Sequence, residues 1–176
     1  DFRFGKNRAG DTTLLKKLSH QFGYKLSIIG DVKSKKTNTK FSSSTIRRNI
    51  HQGLFEKVSQ ALGRNWFMEG KIIKGNQKAR LINFPTANMQ PGNHILPKKG
   101  VYCVKVKFSG KSYRGIANFG ERPTVNGVNL LLETHIFEFN KNIYGKELTV
   151  EFLTFIRSEK KFKDFKSLTN QIKKDV

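Results

Sequence analysis

Tyr102-Cys103-Val104-Lys105-Val106-Lys107-Phe108-Ser109-Gly110 is the stretch on which the fold turns. Tyr102, Val104, Val106 and Phe108 alternate with Cys103, Lys105 and Lys107, the period of two expected of a strand with one face on a core. Ser109-Gly110 then reads as a hairpin turn into a second strand, Lys111 to Asn118. Further out, Leu130 to Phe139 is apolar on both faces, and Leu148, Val150 and Phe152 resume the alternation. After Trp66 such segments are separated by Gly, Asn and Pro, so five or six short strands can close into a small antiparallel barrel. Phe162, Phe165, Leu168 and Ile172 fall at helical spacing, which predicts an amphipathic terminal helix able to cover that barrel.

The upstream texture differs. Asp11 can cap a helix carrying Leu14, Leu15, Leu18 and Phe22, which Gly23 ends. Tyr24 to Ile29 reads as a strand, and the lysine-rich segment Lys33 to Lys40 as a mobile loop. Ser42, Ser43 and Ser44 open a second helix that stops near Gly53, and a third runs to Gly63. One strand cannot make a sheet, so the first 65 residues are expected to be an incomplete α/β unit. The expected division is 1–65 and 66–176, α+β overall.

Composition bounds the function classes. The chain has 176 residues and a formal charge of +21, which attracts polyanions without choosing among nucleic acid, acidic lipid and nucleotide phosphates. The lysines are dispersed apart from Lys33, Lys35, Lys36 and Lys40, and no zinc-finger or recognition-helix pattern accompanies them. They read as a solvated surface, with nucleic-acid binding kept as a rival. The single cysteine, Cys103, allows no internal disulfide. No long apolar run or secretory leader is visible, so the expected setting is the cytoplasm with no membrane partner.

Three segments have residues suited to chemistry. Phe84-Pro85-Thr86-Ala87-Asn88 places a hydroxyl and an amide two residues apart on a stiffened backbone, where both can ligate Mg²⁺ between phosphates, with Lys74, Lys78 and Arg80 as nearby cations. An ordinary Pro-Thr turn is the plainer reading. Glu133 shares a strand face with Leu131, His135 and Phe137. Burial there would raise its pKa and make it a better base, while pairing with a cross-strand lysine is the alternative. Ser42-Ser43-Ser44-Thr45-Ile46-Arg47 combines helix-start N–H groups, hydroxyls and an arginine, suiting phosphate, although serine also caps many helices that bind none.

Taken in order, the segments resemble the C-terminal part of the bacterial bifunctional riboflavin kinase/FAD synthetase family. Pro85-Thr86-Ala87-Asn88, Gly115-Ile116-Ala117-Asn118-Phe119-Gly120-Glu121-Arg122-Pro123-Thr124, Glu133-Thr134-His135, Tyr144-Gly145-Lys146 and Phe155 to Phe162 resemble its kinase blocks. Asp1 to Asp11 and Ser42 to Arg47 resemble its adenylyltransferase module, with Ser44 where the family usually has Thr. The resemblance implies a six-stranded antiparallel barrel with a C-terminal helix, preceded by an incomplete Rossmann-like nucleotidyltransferase tail. It implies transfer of the ATP γ-phosphoryl group to riboflavin, giving FMN.

On matching positions, Thr86 and Asn88 would hold Mg²⁺ and the ATP phosphates, and Glu133 would be the general base. Gly70, Gly75 and Arg80 resemble the ATP side, Arg157, Glu159 and Phe162 the flavin side, and Ser42, Ser43, Ser44 and Arg47 the adenylyltransferase nucleotide motif. The longer parent would also adenylylate FMN to FAD, using an N-terminal part that this chain lacks. Two family glycines are replaced, by Ala79 and Asn83, which predicts weakened ATP affinity. The rival is a basic flavin- or nucleic-acid-binding module without transfer activity.

Overall fold

The computed structural model describes residues 2–34, 37–75, 84–124, 127–160, 162–163 and 165–175. They fall into two compact units, 1–40 and 41–176.

In the first unit, helix α1 (Thr12–Phe22) begins as its sequence dictates, the Asp11 carboxylate accepting from the Leu14 N–H at 2.9 Å. Tyr24 to Ile29, expected as a strand, is not one. A strand exists through its ladder of hydrogen bonds, and no neighbouring strand lies beside this segment among the described residues. Tyr24, Ile28 and Ile29 are accordingly exposed. Lys33 to Lys40, expected as a mobile loop, is tied as a turn at its described ends. Lys33 bridges Lys40, the Ser34 N–H donates to the Thr39 carbonyl, and Lys40 pairs with Asp31 at 2.9 Å.

The second unit opens with helices α2 (Ser43–Gln52) and α3 (Phe55–Leu62). Both lie before the expected boundary at residues 65 and 66, yet Ile50, Phe55 and Val58 enter the same core as the strands. Phe55 is the main anchor: its ring meets those of Trp66, Tyr102 and Phe152 at centroid distances of 5.5, 5.5 and 5.1 Å.

Six antiparallel strands follow: β1 (Phe67–Lys71), β2 (Ala87–Met89), β3 (Gly100–Phe108), β4 (Lys111–Thr124), β5 (Gly127–Ile136) and β6 (Glu147–Arg157). Their order is β1-β6-β3-β4-β5-β2. The two outer strands meet just past β1, where the Ile73 N–H donates to the Asn88 carbonyl at 2.8 Å, and the sheet nearly closes. The β3–β4 hairpin turns on Ser109 and Gly110, both at positive φ (48° and 74°), the backbone of a type I′ turn. Alternation sorts the faces. Leu132, Thr134 and Ile136 of β5 are buried inside, while Leu131, Glu133 and His135 lie outside and are only partly covered.

Helix α4 (Phe165–Asp175) ends the chain. It starts after Phe162, which was expected to lie on its stripe, and the side chains of Phe165, Leu168 and Ile172 lie outside those described. What fixes the helix is its last turn: Arg157 at the end of β6 donates from Nε and Nη2 to the Asp175 carboxylate at 3.0 and 2.5 Å.

Candidate functional site

One row of residues crosses the barrel's outer face. Asn88 on β2 is in register with Glu133 on β5, Glu133 with Asn118 on β4, Asn118 with Val101 on β3, and Val101 with Arg157 on β6. Directly opposed residues of antiparallel strands lie side by side on one face. Asn88, Glu133 and Arg157, which are 69 positions apart from first to last, thus share a single stripe.

Asn88 is 5% exposed although it points outward. Gly75 covers it, so closely that a Cβ at position 75 would overlap the Asn88 amide. The amide nitrogen donates to the Thr86 carbonyl at 3.4 Å, and Oδ1 is the atom of this side chain able to ligate a cation. Gly70 on β1 faces Met89 at a contact too tight for a side chain without adjustment. Thr86, half-buried just ahead of β2, and Asn88 border a cavity of about 330 Å³ also lined by the inward-facing Thr134 and Ile136 of β5 and by Lys141, Asn142 and Tyr144 of the β5–β6 connection. Arg80, with Lys78, Ala79 and Asn83, lies outside the described residues.

Glu133 is not enclosed by apolar groups as its strand pattern suggested. The face it shares with Leu131 and His135 is the outer one, and its side chain is 27% exposed. Its charge is met by an arginine rather than a lysine: Arg122 donates from Nε to Oε1 at 3.0 Å and from Nη2 to Oε2 at 2.7 Å. The hydrogen bonds it donates to Glu133 raise the Arg122 pKa above its already high ordinary value, against the opposing effect of burial. Arg122 also reaches Glu159 at 3.3 Å, and Asn118 donates to the same Glu159 oxygen at 3.0 Å.

His135 does something its sequence left open. Its Nδ1 lies 2.9 Å from the Pro85 carbonyl, an acceptor only, so Nδ1 bears the proton and donates. The ring meets Phe84 edge-on at 5.1 Å. The strand bearing Glu133 therefore also fastens the turn that presents Thr86. On the other flank, the Arg157 guanidinium stands 5.9 Å from the centre of the Phe162 ring.

Ser42 caps α2: its hydroxyl accepts from the Thr45 N–H at 3.2 Å and donates to the Thr45 hydroxyl. Ser43, Ser44 and Arg47 are exposed on that helix. Among the described residues, no hydrogen bond or ion pair joins these four to the stripe.

The donor set fits Mg²⁺ in one particular way. A threonine hydroxyl and an amide oxygen are hard, neutral ligands, too few to hold the ion alone but suited to one that keeps phosphates and waters as its other ligands. No cluster of three or more His, Cys, Asp or Glu suited to a metal occurs among the described residues.

Residues 62–176 match the family model described as Flavokinase: Riboflavin kinase. The whole chain is 42% identical to 57% of the bifunctional riboflavin kinase/FMN adenylyltransferase of Haemophilus influenzae. It is 36% identical to 56% of the protein of the same name from Bacillus subtilis, with 99% of this chain aligned. The chain thus spans little more than half the length of these curated relatives. Among solved structures, a crystal structure described as a macrolide-efflux protein from Streptococcus pneumoniae superposes with a TM-score of 0.85 at 32% identity, over 99% of this chain and 56% of that one. No helix among the described residues is long and apolar enough to cross a membrane.

Proposed function

Because the chain belongs to the riboflavin kinase family, a family of phosphotransferases, we propose that its outer stripe is where the γ-phosphoryl group of ATP passes to the 5′-hydroxyl of riboflavin, giving FMN and ADP. The register of Asn88 against Glu133 carries this reading, since it puts a phosphate-side ligand beside a proton acceptor. A base must lie within hydrogen-bond reach of the proton it takes, and in-line attack needs that hydroxyl next to the γ-phosphorus.

Thr86 and Asn88 would hold Mg²⁺ and the phosphates, and the bound ion would offset charge on the transferring group. Gly75 lets backbone approach that end, and the family pattern assigns Gly70 and Arg80 to ATP binding as well. The cavity beside Thr86, at about 330 Å³, falls within the range of small-ligand sites and is the natural seat for the nucleotide. Glu133 orients the ribityl hydroxyl and accepts its proton. Arg157, Glu159 and Phe162 form the flavin side, where an aromatic ring and a guanidinium suit a flat conjugated ligand.

A longer protein containing this chain also adenylylates FMN to FAD, with residues 1–65 contributing to its Rossmann-like adenylyltransferase module and 66–176 forming the kinase domain, on whose core α2 and α3 of the first segment pack. Ser42, Ser43, Ser44 and Arg47 serve nucleotide binding there. Exposure of Phe22, Ile28, Ile29 and Val32 supports this, as these apolar residues suit a face that further strands of the same module cover. The cytoplasm is the expected setting.

The test is incubation of the chain with riboflavin and ATP, with and without Mg²⁺, followed by chromatographic detection of FMN. Mg²⁺-dependent FMN is expected. Flavin fluorescence quenching with no FMN under any condition would support a binding module instead.

A further inference from the structure

Arg122 has no role in the scheme above, yet it joins both of its acidic side chains. Its fork holds the two oxygens of Glu133 at 3.0 and 2.7 Å, fixing the plane of the carboxylate as well as its distance. Its remaining nitrogen, Nη1, donates to the Glu121 carbonyl at 2.8 Å and reaches Glu159 at 3.3 Å. Glu159 can come this close because Gly120 lies beneath it, and a Cβ there would overlap its carboxylate. Asn118, from the same strand, holds the same oxygen at 3.0 Å. The guanidinium therefore stands between the strand carrying Glu133 and the segment that follows β6.

We propose that Arg122 is the positioning residue for Glu133, aiming its carboxylate at the flavin hydroxyl and tying that aim to the placement of Glu159. The proposal rests on the reading of Glu133 as the base. A carboxylate offers about four lone-pair sites and the fork occupies two, so Glu133 keeps acceptor capacity while held. In the transfer, the hydroxyl proton moves to Glu133, the bond from the ribityl oxygen to the γ-phosphorus forms, and the bond from that phosphorus to the β,γ-bridging oxygen breaks. Its electron pair leaves with ADP. Arg122 keeps the accepting oxygen from swinging during this step. A lysine cannot replace it, because a single ammonium on a flexible stem does not fix two oxygens in one plane.

A double-mutant cycle tests the proposal, with kcat and the KM values for ATP and riboflavin measured for wild type, Arg122→Gln, Glu133→Gln and the double variant. Arg122→Gln is expected to lower kcat roughly ten- to a hundredfold, with the KM for ATP nearly unchanged. In the Glu133→Gln background it should cost nothing further, because Arg122 acts through the group already removed. Arg122→Lys, which retains the charge, should be as slow as Arg122→Gln and carries the cycle if the glutamine variant does not fold. Equal losses in both backgrounds, or wild-type kcat with only a lowered melting temperature, would overturn the role of Arg122 alone. FMN production undiminished in Glu133→Gln would remove the base reading, and the proposal with it.

Discussion

Asn88 sits beneath Gly75 with no room between them, so the smallest side chain at position 75 must displace the amide or the backbone that covers it. Gly75→Ala is expected to raise the KM for ATP by roughly tenfold or more, since a small misplacement of a ligand-holding group is costly, while the KM for riboflavin stays near wild type. Steady-state kinetics with each substrate varied would check this. His135 makes a second prediction through its Nδ1 donor to Pro85. Asparagine places an N–H close to where Nδ1 stands, so His135→Asn should retain most ATP affinity while His135→Leu loses it, measured by nucleotide titration of both folded variants. Thr86, Asn88 and Glu133 could be proposed from the sequence through the short blocks that resemble the family's. Arg122 could not: it lies 11 positions from Glu133, and the register sets it opposite Asn129 rather than Glu133, so only its side chain, reaching along the sheet, brings the two together.

At the scale of elements, α3 and α4 are each held by one strong feature. Phe55 is 2% exposed and contacts three aromatic rings. Phe55→Ala should cost about 3–5 kcal/mol of stability, read by urea denaturation. For α4 the feature is ionic. Burial raises the Asp175 pKa, but hydrogen bonds from Arg157 and Gln171 outweigh it and leave the carboxyl below its ordinary value of 3.8. A lowered folded pKa gives stabilisation that is complete above the unfolded value and is lost as the pH falls through the folded one. The terminal helix should therefore keep its protection from proteolysis near neutrality and lose it in acid below about pH 4; Asp175→Asn should lose it at neutral pH as well. Protection unchanged in that variant would show that other contacts hold α4. The β3–β4 hairpin was readable because period-two alternation and a Ser-Gly turn agree locally. Tyr24 to Ile29 has strand-like residues too, but a strand needs a neighbour, and no local pattern reports whether one is present.

Over the whole molecule, charge and fold point in different directions. A net +21 would suit a polyanion binder, although a few of the basic residues are paired locally. Lys107 meets Glu151 at 2.5 Å, Lys99 meets Glu121, and Arg157 meets Asp175. Binding to nucleic acid through exposed lysines should collapse steeply between low and moderate salt, whereas FMN formation should depend on Mg²⁺ and change far less. The near-closed barrel was legible from spacing, and so was the inner face of β3, but the two faces of β5 were not. Leu130 to Phe139 is apolar on both faces, and only the packed structure shows that Glu133 belongs to the outer one. That placement makes the role of Glu133 testable by comparing FMN formation from riboflavin, ATP and Mg²⁺ by the wild-type chain and by a folded Glu133→Gln variant. FMN from the wild type, with a loss of roughly a hundredfold or more in the variant, is the expected result; equal rates from both, or no FMN from the wild type, would contradict it.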